Sequence, residues 1–169
     1  MEKKTFSKRK KDYLLAGAIL LVVIVALAAG MPMIYSVRFS QRFIEYKEHL
    51  QDSFYYGTQN NTVLAESDEG IWRLTDGSAS NLHTCLVDGG MGKLMKEKDI
   101  PQDTDRIRVE FGDGAFLDFY RHESGNDDDG DLIVSYSSSD YGPYIYLSDR
   151  YSYNQMRSIV MREQNKKLK

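Results

Sequence analysis

The sequence predicts an α+β protein: a single N-terminal transmembrane helix followed by a small exported domain, in which an antiparallel meander of about four strands is flanked by helices. Three observations lead there. Residues 13–35, YLLAGAILLVVIVALAAGMPMIY, run for 23 positions without a charge. Between residues 105 and 148, short segments alternate apolar and polar side chains and are separated by Gly- and Asp-containing turns. On either side of those segments, apolar residues recur at the three-four spacing of an amphipathic helix.

The apolar run is long enough to cross a bilayer, which needs roughly 20 such residues. Its flanks fix the expected orientation. Residues 1–12 form a basic tail with six Lys or Arg against Glu2 and Asp12. Positive charge stays in the cytoplasm, so the N-terminus is expected inside and the chain beyond about Ser36 outside. Tyr13 and Tyr35 stand at the two ends, where amphipathic rings favour the headgroup region. Cleavage after Ala26-Leu27-Ala28 is the competing expectation, but the apolar run continues past that site.

Residues 36–56 are expected to form a membrane-proximal helix. Val37, Ser40, Phe43, Ile44, Lys47 and Leu50 follow helical spacing, and Phe39, Tyr46 and Phe54 widen the stripe. Such a helix packs on its own domain or pairs with a partner, and without a sustained heptad the first is favoured. Residues 57–163 then make the extracytoplasmic domain. Thr62–Ala65 and Ile71–Thr75 read as short strands. Ser78 or Ser80 is placed to cap a helix carrying Leu82, Cys85 and Leu86 and stopped at Gly89-Gly90, with another turn or two over Met91–Lys98.

Asp105–Phe111 and Ala115–Tyr120 form the clearest hairpin. A three-residue turn sets Phe111 opposite Ala115, Val109 opposite Leu117, Ile107 opposite Phe119 and Arg108 opposite Asp118, with Gly114 left-handed. Asp131–Ser137 and Pro143–Ser148 complete the meander. A last helix spans about Tyr151–Asn165, and residues 164–169 are a basic C-terminal tail.

Charge and cysteine content narrow the function. Residues 36–169 carry 16 basic and 23 acidic groups, a net of −7. An acidic exported domain argues against nucleic acid. Cys85 is the only cysteine, so no intrachain disulfide forms, which fits a bacterial envelope better than a disulfide-stapled secreted scaffold. No cofactor motif is present, and Gly89-Gly90-Met91-Gly92 resembles a phosphate loop only in composition.

Three clusters are candidates for chemistry. Tyrosine is the compositional oddity: Tyr136, Tyr141, Tyr144, Tyr146, Tyr151 and Tyr153 fall within 18 residues. The strand phases place Phe116, Tyr120, Tyr144 and Tyr146, with Ile133, on the sheet face opposite the main apolar one. That face must be covered by another element or bind something, and an aromatic platform suits a membrane protein or a cell-wall glycan. Asp127, Asp129 and Asp131 fall in an acidic loop that invites a calcium reading. Aligned on an EF-hand glycine at Gly130, however, it offers Gly125 for the first Asp and Tyr136 for the bidentate Glu. Finally, Leu82-His83-Thr84-Cys85 resembles the Leu-x-Thr-Cys stretch around the nucleophile of sortases, which are also N-in, single-pass envelope enzymes. The resemblance covers four residues and makes Cys85, with His83, the catalytic candidate. It departs from the family in that Cys85 is central in the chain, His49 does not follow a strand and His122 comes after the cysteine.

The leading expectation is a membrane-anchored, extracytoplasmic interaction or sensing module without enzymatic activity. It would be held in the bilayer by residues 13–35 and would meet a membrane protein or cell-wall glycan. An envelope hydrolase or transpeptidase using Cys85 and a structural subunit of a membrane complex are the alternatives.

Overall fold

The computed structural model describes residues 2–88, 91–122, 131–163 and 165–168, with side chains from residue 17 onward except residue 29. The chain divides into two compact units, Met1–Gln41 and Arg42–Lys169. One helix, α1 (Glu2–Gln59), contributes residues to both. In the first unit it contains a stretch near the N-terminus that is long and apolar enough to span a membrane. The side chains of that stretch face outward: Ile19, Leu21, Val22, Leu27 and Met31 are all more than half exposed.

The second unit is α+β, as the residue patterns predict, but its sheet is larger than a four-strand meander. Eight strands run in the order β3-β7-β6-β5-β4-β1-β2-β8, every neighbouring pair antiparallel. In chain order they are β1 (Leu64–Ser67), β2 (Gly70–Arg73), β3 (Met91–Leu94), β4 (Arg106–Glu110), β5 (Phe116–His122), β6 (Asp131–Ser137), β7 (Tyr144–Ser152) and β8 (Lys166–Leu168). The expected meander is β4 to β7 at the centre. Residues 91–94, expected to extend a helix, instead form the edge strand β3 along β7. Residues 166–168, expected as a tail, form the other edge along β2. Segments of three or four residues carry too little alternation to declare themselves; their partners lie far away in sequence.

The central hairpin has the register that residue matching demands. Val109 pairs with Leu117, Ile107 with Phe119 and Arg108 with Asp118. The turn needs two glycines, not one: Gly112 and Gly114 have φ of +85° and +87°. Gly112 is constrained twice over, because a Cβ there would lie 2.7 Å from the Thr62 side chain.

The other two helices are α2 (Asp76–Val87) and α3 (Tyr153–Val160). The N-cap of α2 is Thr75, earlier than expected, with its side chain accepting from the Ser78 amide. Helix α3 is shorter than expected at both ends. Strand β7 runs on to Ser152, which then caps α3 reciprocally with Gln155. Asn165 Nδ2 donates to the Ile159 and Val160 carbonyls and closes the other end.

Ala65, Trp72, Val109, Leu117, Tyr136 and Tyr144 follow one another across one sheet face, beside the row Ile107, Phe119, Val134 and Tyr146. The domain portion of α1 lies on this face. Tyr46 is fully buried, its ring centroid 5.2 Å from that of Tyr146 and 6.2 Å from that of Tyr136. Further along, Phe54 meets Phe111 edge-on at 4.7 Å. Polar contacts fix the register of helix on sheet. Ser53 Oγ donates to Asp113 Oδ2 at 2.7 Å and lies 3.0 Å from the Tyr136 hydroxyl, which donates to the His49 carbonyl at 3.1 Å.

The second face is buried at its centre, where Ile133 and Ile145 are 0% and 3% exposed. The strand order requires residues 95–105 to carry the chain from the β3 edge past β7, β6 and β5 to β4. Met95, Ile100, Pro101 and Thr104 are the half-buried residues of that crossing. The Met95 amide donates to the Ile145 carbonyl at 2.8 Å.

Candidate functional site

The four aromatic residues expected to share one platform are split between the two faces. Phe116 and Tyr120 pair with Ser137 and Ile133 on the second face. Tyr144 and Tyr146 pair with Tyr136 and Val134 on the first, where α1 covers them. They are 6% and 0% exposed. The reason is a one-residue phase error. Strand β7 pairs Tyr144 with Tyr136 and Tyr146 with Val134, so that Ile145 and Leu147 join the second face and the tyrosines the first. The element that closes this part of the sheet is the chain's own helix.

On the second face, Phe116 and Tyr120 are half-buried and tied to a charged pair. Arg108 lies over the Phe116 ring at 4.3 Å and makes two hydrogen bonds to Asp118, at 2.8 and 2.9 Å. Asp118 is 2% exposed. The Tyr120 hydroxyl donates to the same carboxylate at 3.4 Å, and burial, followed by the Asp118 charge, raises the Tyr120 pKa.

Cys85 and His83 both lie on α2, two positions apart, so the helix turns them about 200° away from each other. Half-buried Cys85 lies beside the Tyr151 side chain. His83 faces α1, its ring edge-on to Phe54 at 5.4 Å. His49 stacks on Tyr141 at 3.7 Å. Each of the three groups is thus engaged with an aromatic partner of its own. For the calcium reading, Asp127 and Asp129 lie outside the described residues. Asp131 opens β6, across from His122 and Ser152. Among the described residues no three His, Cys, Asp or Glu side chains gather into a metal site.

A groove of about 310 Å³ opens between the C-terminal turns of α1 and helix α2. Gln51, Asp52, Phe54, Tyr55 and Thr58 line it from α1, and Ala79, Ser80 and His83 from α2. Helical geometry explains the set. Positions 51, 55 and 58 recur at helical spacing beside the buried positions 46, 50 and 54, so one helix presents its core face to the sheet and an adjacent edge to the groove. Tyr55 is 64% exposed. The Thr58 hydroxyl is already committed to the Phe54 and Tyr55 carbonyls. His83 Nε2 is shut off from solvent and lacks a hydrogen-bond partner. Burial lowers the His83 pKa against the opposing pull of Asp88, so the ring is neutral at pH 7. The groove therefore carries a single formal charge, that of Asp52. Sequence reading reaches His83 but misses the rest. The available signal was an exposed aromatic, Tyr55, next to the buried stripe.

Compared with known proteins, the chain matches no family model, no curated protein and no solved structure.

Proposed function

We propose that this protein is a membrane-anchored binding module. Residues 13–35 hold it in the bilayer, its N-terminus is cytoplasmic, and its acidic α+β domain meets an envelope component outside. The observation that carries this reading is the run of outward-facing apolar side chains on α1. Ile19, Leu20, Leu21, Val22, Val23, Ile24, Val25, Leu27, Met31, Met33 and Ile34 present an apolar surface that water does not tolerate and a bilayer accepts. The basic residues of the first 12 positions support the orientation. A binding role, as opposed to a catalytic one, is supported by the separation of Cys85 from His83 and by an open groove lined with polar and aromatic groups, Asp52 carrying its one formal charge.

The test has two readouts on the full-length chain. After extraction of membranes at alkaline pH, the protein should remain in the pellet. In sealed cells, added protease should remove the domain and leave the N-terminal tail intact. Release into the supernatant would refute the anchor, and protection of the domain would refute the orientation. Purification in mild detergent should also bring down an envelope component that is lost from a Tyr55→Ala, Asp52→Ala variant. Identical recovery with that variant would place binding elsewhere.

A further inference from the structure

We propose that the groove between α1 and α2 binds a neutral saccharide of one or two rings. This inference rests on reading the protein as an envelope-binding module, and it names the ligand class of that module's groove.

Size comes first. At about 310 Å³ the groove stands at the lower end of the small-molecule range, which begins near 300 Å³. It admits a small ring system and excludes a folded partner. Charge comes second. Asp52 is the single formal charge, and the neutral His83 ring adds none. A phosphate or carboxylate ligand would meet only repulsion there. Chemistry comes third. A sugar ring offers an apolar C–H face and a rim of hydroxyls that both donate and accept. Tyr55 supplies a ring for the face and is exposed enough to swing onto it. Gln51 supplies an amide with both a donor and an acceptor end, Ser80 a hydroxyl and Asp52 an acceptor carboxylate. Among the described residues none of the three is consumed by a hydrogen bond.

The experiment is saturation-transfer NMR on the full-length protein in lipid nanodiscs, avoiding glycoside detergents that would compete. The probes are chitobiose, maltose and choline, each up to about 10 mM, an order above a millimolar Kd. The expected result is transfer to ring protons of at least one disaccharide, with at least a tenfold weaker Kd in Tyr55→Ala and in Asp52→Ala. Tyr141→Ala, which removes an exposed tyrosine outside the groove, should bind as wild type. Circular dichroism melts identify any variant that has lost its fold, and Gln51→Ala then replaces it. Absence of transfer to both sugars overturns the proposal, as does undiminished transfer in the folded groove variants. Choline binding that displaces the sugar assigns the groove to a cationic ligand and also overturns it. Membrane retention and protease accessibility do not depend on groove residues, so a failed sugar assay with an intact anchor refutes the ligand class alone.

Discussion

Tyr46 provides the sharpest test of the claim that the helix is part of the domain's core. Its side chain is fully buried, it stacks on Phe43 at 5.9 Å, and it approaches Tyr136, Tyr144 and Tyr146 within 6.4 Å. Its hydroxyl, however, has no hydrogen-bond partner. The two halves of the side chain therefore act in opposite directions. Truncation by Tyr46→Ala removes a buried ring at the helix–sheet junction and should cost about 4 kcal/mol. For a domain of this size each kcal/mol moves Tm by roughly 3–5 °C, so the midpoint should fall by roughly 12–20 °C. Tyr46→Phe keeps the ring and removes only the unpartnered hydroxyl. Burying such a group costs about 1–3 kcal/mol, so this variant should gain about 1 kcal/mol and melt roughly 3–5 °C higher. Near-ultraviolet circular dichroism of the full-length chain in nanodiscs reads both. A Tyr46→Ala variant that melts like wild type would show that α1 does not stabilise the domain. A Tyr46→Phe variant that melts lower would show that the hydroxyl is bonded and that the packing described is wrong.

Other consequences follow from the same packing. Arg108→Met should destabilise the domain by about 2–3 kcal/mol, because Asp118 is left buried with Tyr120 as its remaining partner; restoring the balance with Asp118→Asn in the same chain should recover part of the loss in chemical denaturation. Gly114→Ala, which meets no atom within 4 Å, should cost about 1 kcal/mol for its positive φ alone, whereas Gly112→Ala also drives a methyl against Thr62 and should cost at least about 2 kcal/mol; equal midpoints in urea would contradict the turn geometry. Burial raises the pKa values of Tyr136, Tyr144 and Tyr146 and pushes that of Tyr153 up to about 12. The unfolded chain thus loses these protons first, near pH 10, and stability should be full below that and fall as pH rises toward 12. Tyr153→Phe should flatten the decline in Tm measured across that interval.

How much of this was legible in the sequence depends on how local the deciding contact is. The β4–β5 register could be read because a tight turn joins two alternating segments, and only one turn length sets apolar against apolar. The burial of Asp118 could not, since it depends on what covers the second face. The phase of β7 misleads because Ile145 and Tyr146 are both apolar enough to face a core, and alternation alone does not choose between them. Strands β3 and β8 pair with partners more than 50 and more than 90 residues away, and no local signal marks a three- or four-residue edge. The stripe of Tyr46, Leu50 and Phe54 was visible as a helix face. The groove beside it was not, since it exists only once Ala79, Ser80 and His83 are brought alongside.

The placement of α1 on β6 and β7 also sets a schedule. The helix leaves the ribosome early, yet Ser53 waits for Tyr136, 83 residues further on. At about 5–20 residues per second that interval is roughly 4–17 s. Throughout it, Tyr46 has been made and the three sheet tyrosines that enclose it, Tyr136, Tyr144 and Tyr146, have not. The nascent chain carries a bare aromatic surface next to its most apolar segment for longer than many whole domains take to fold.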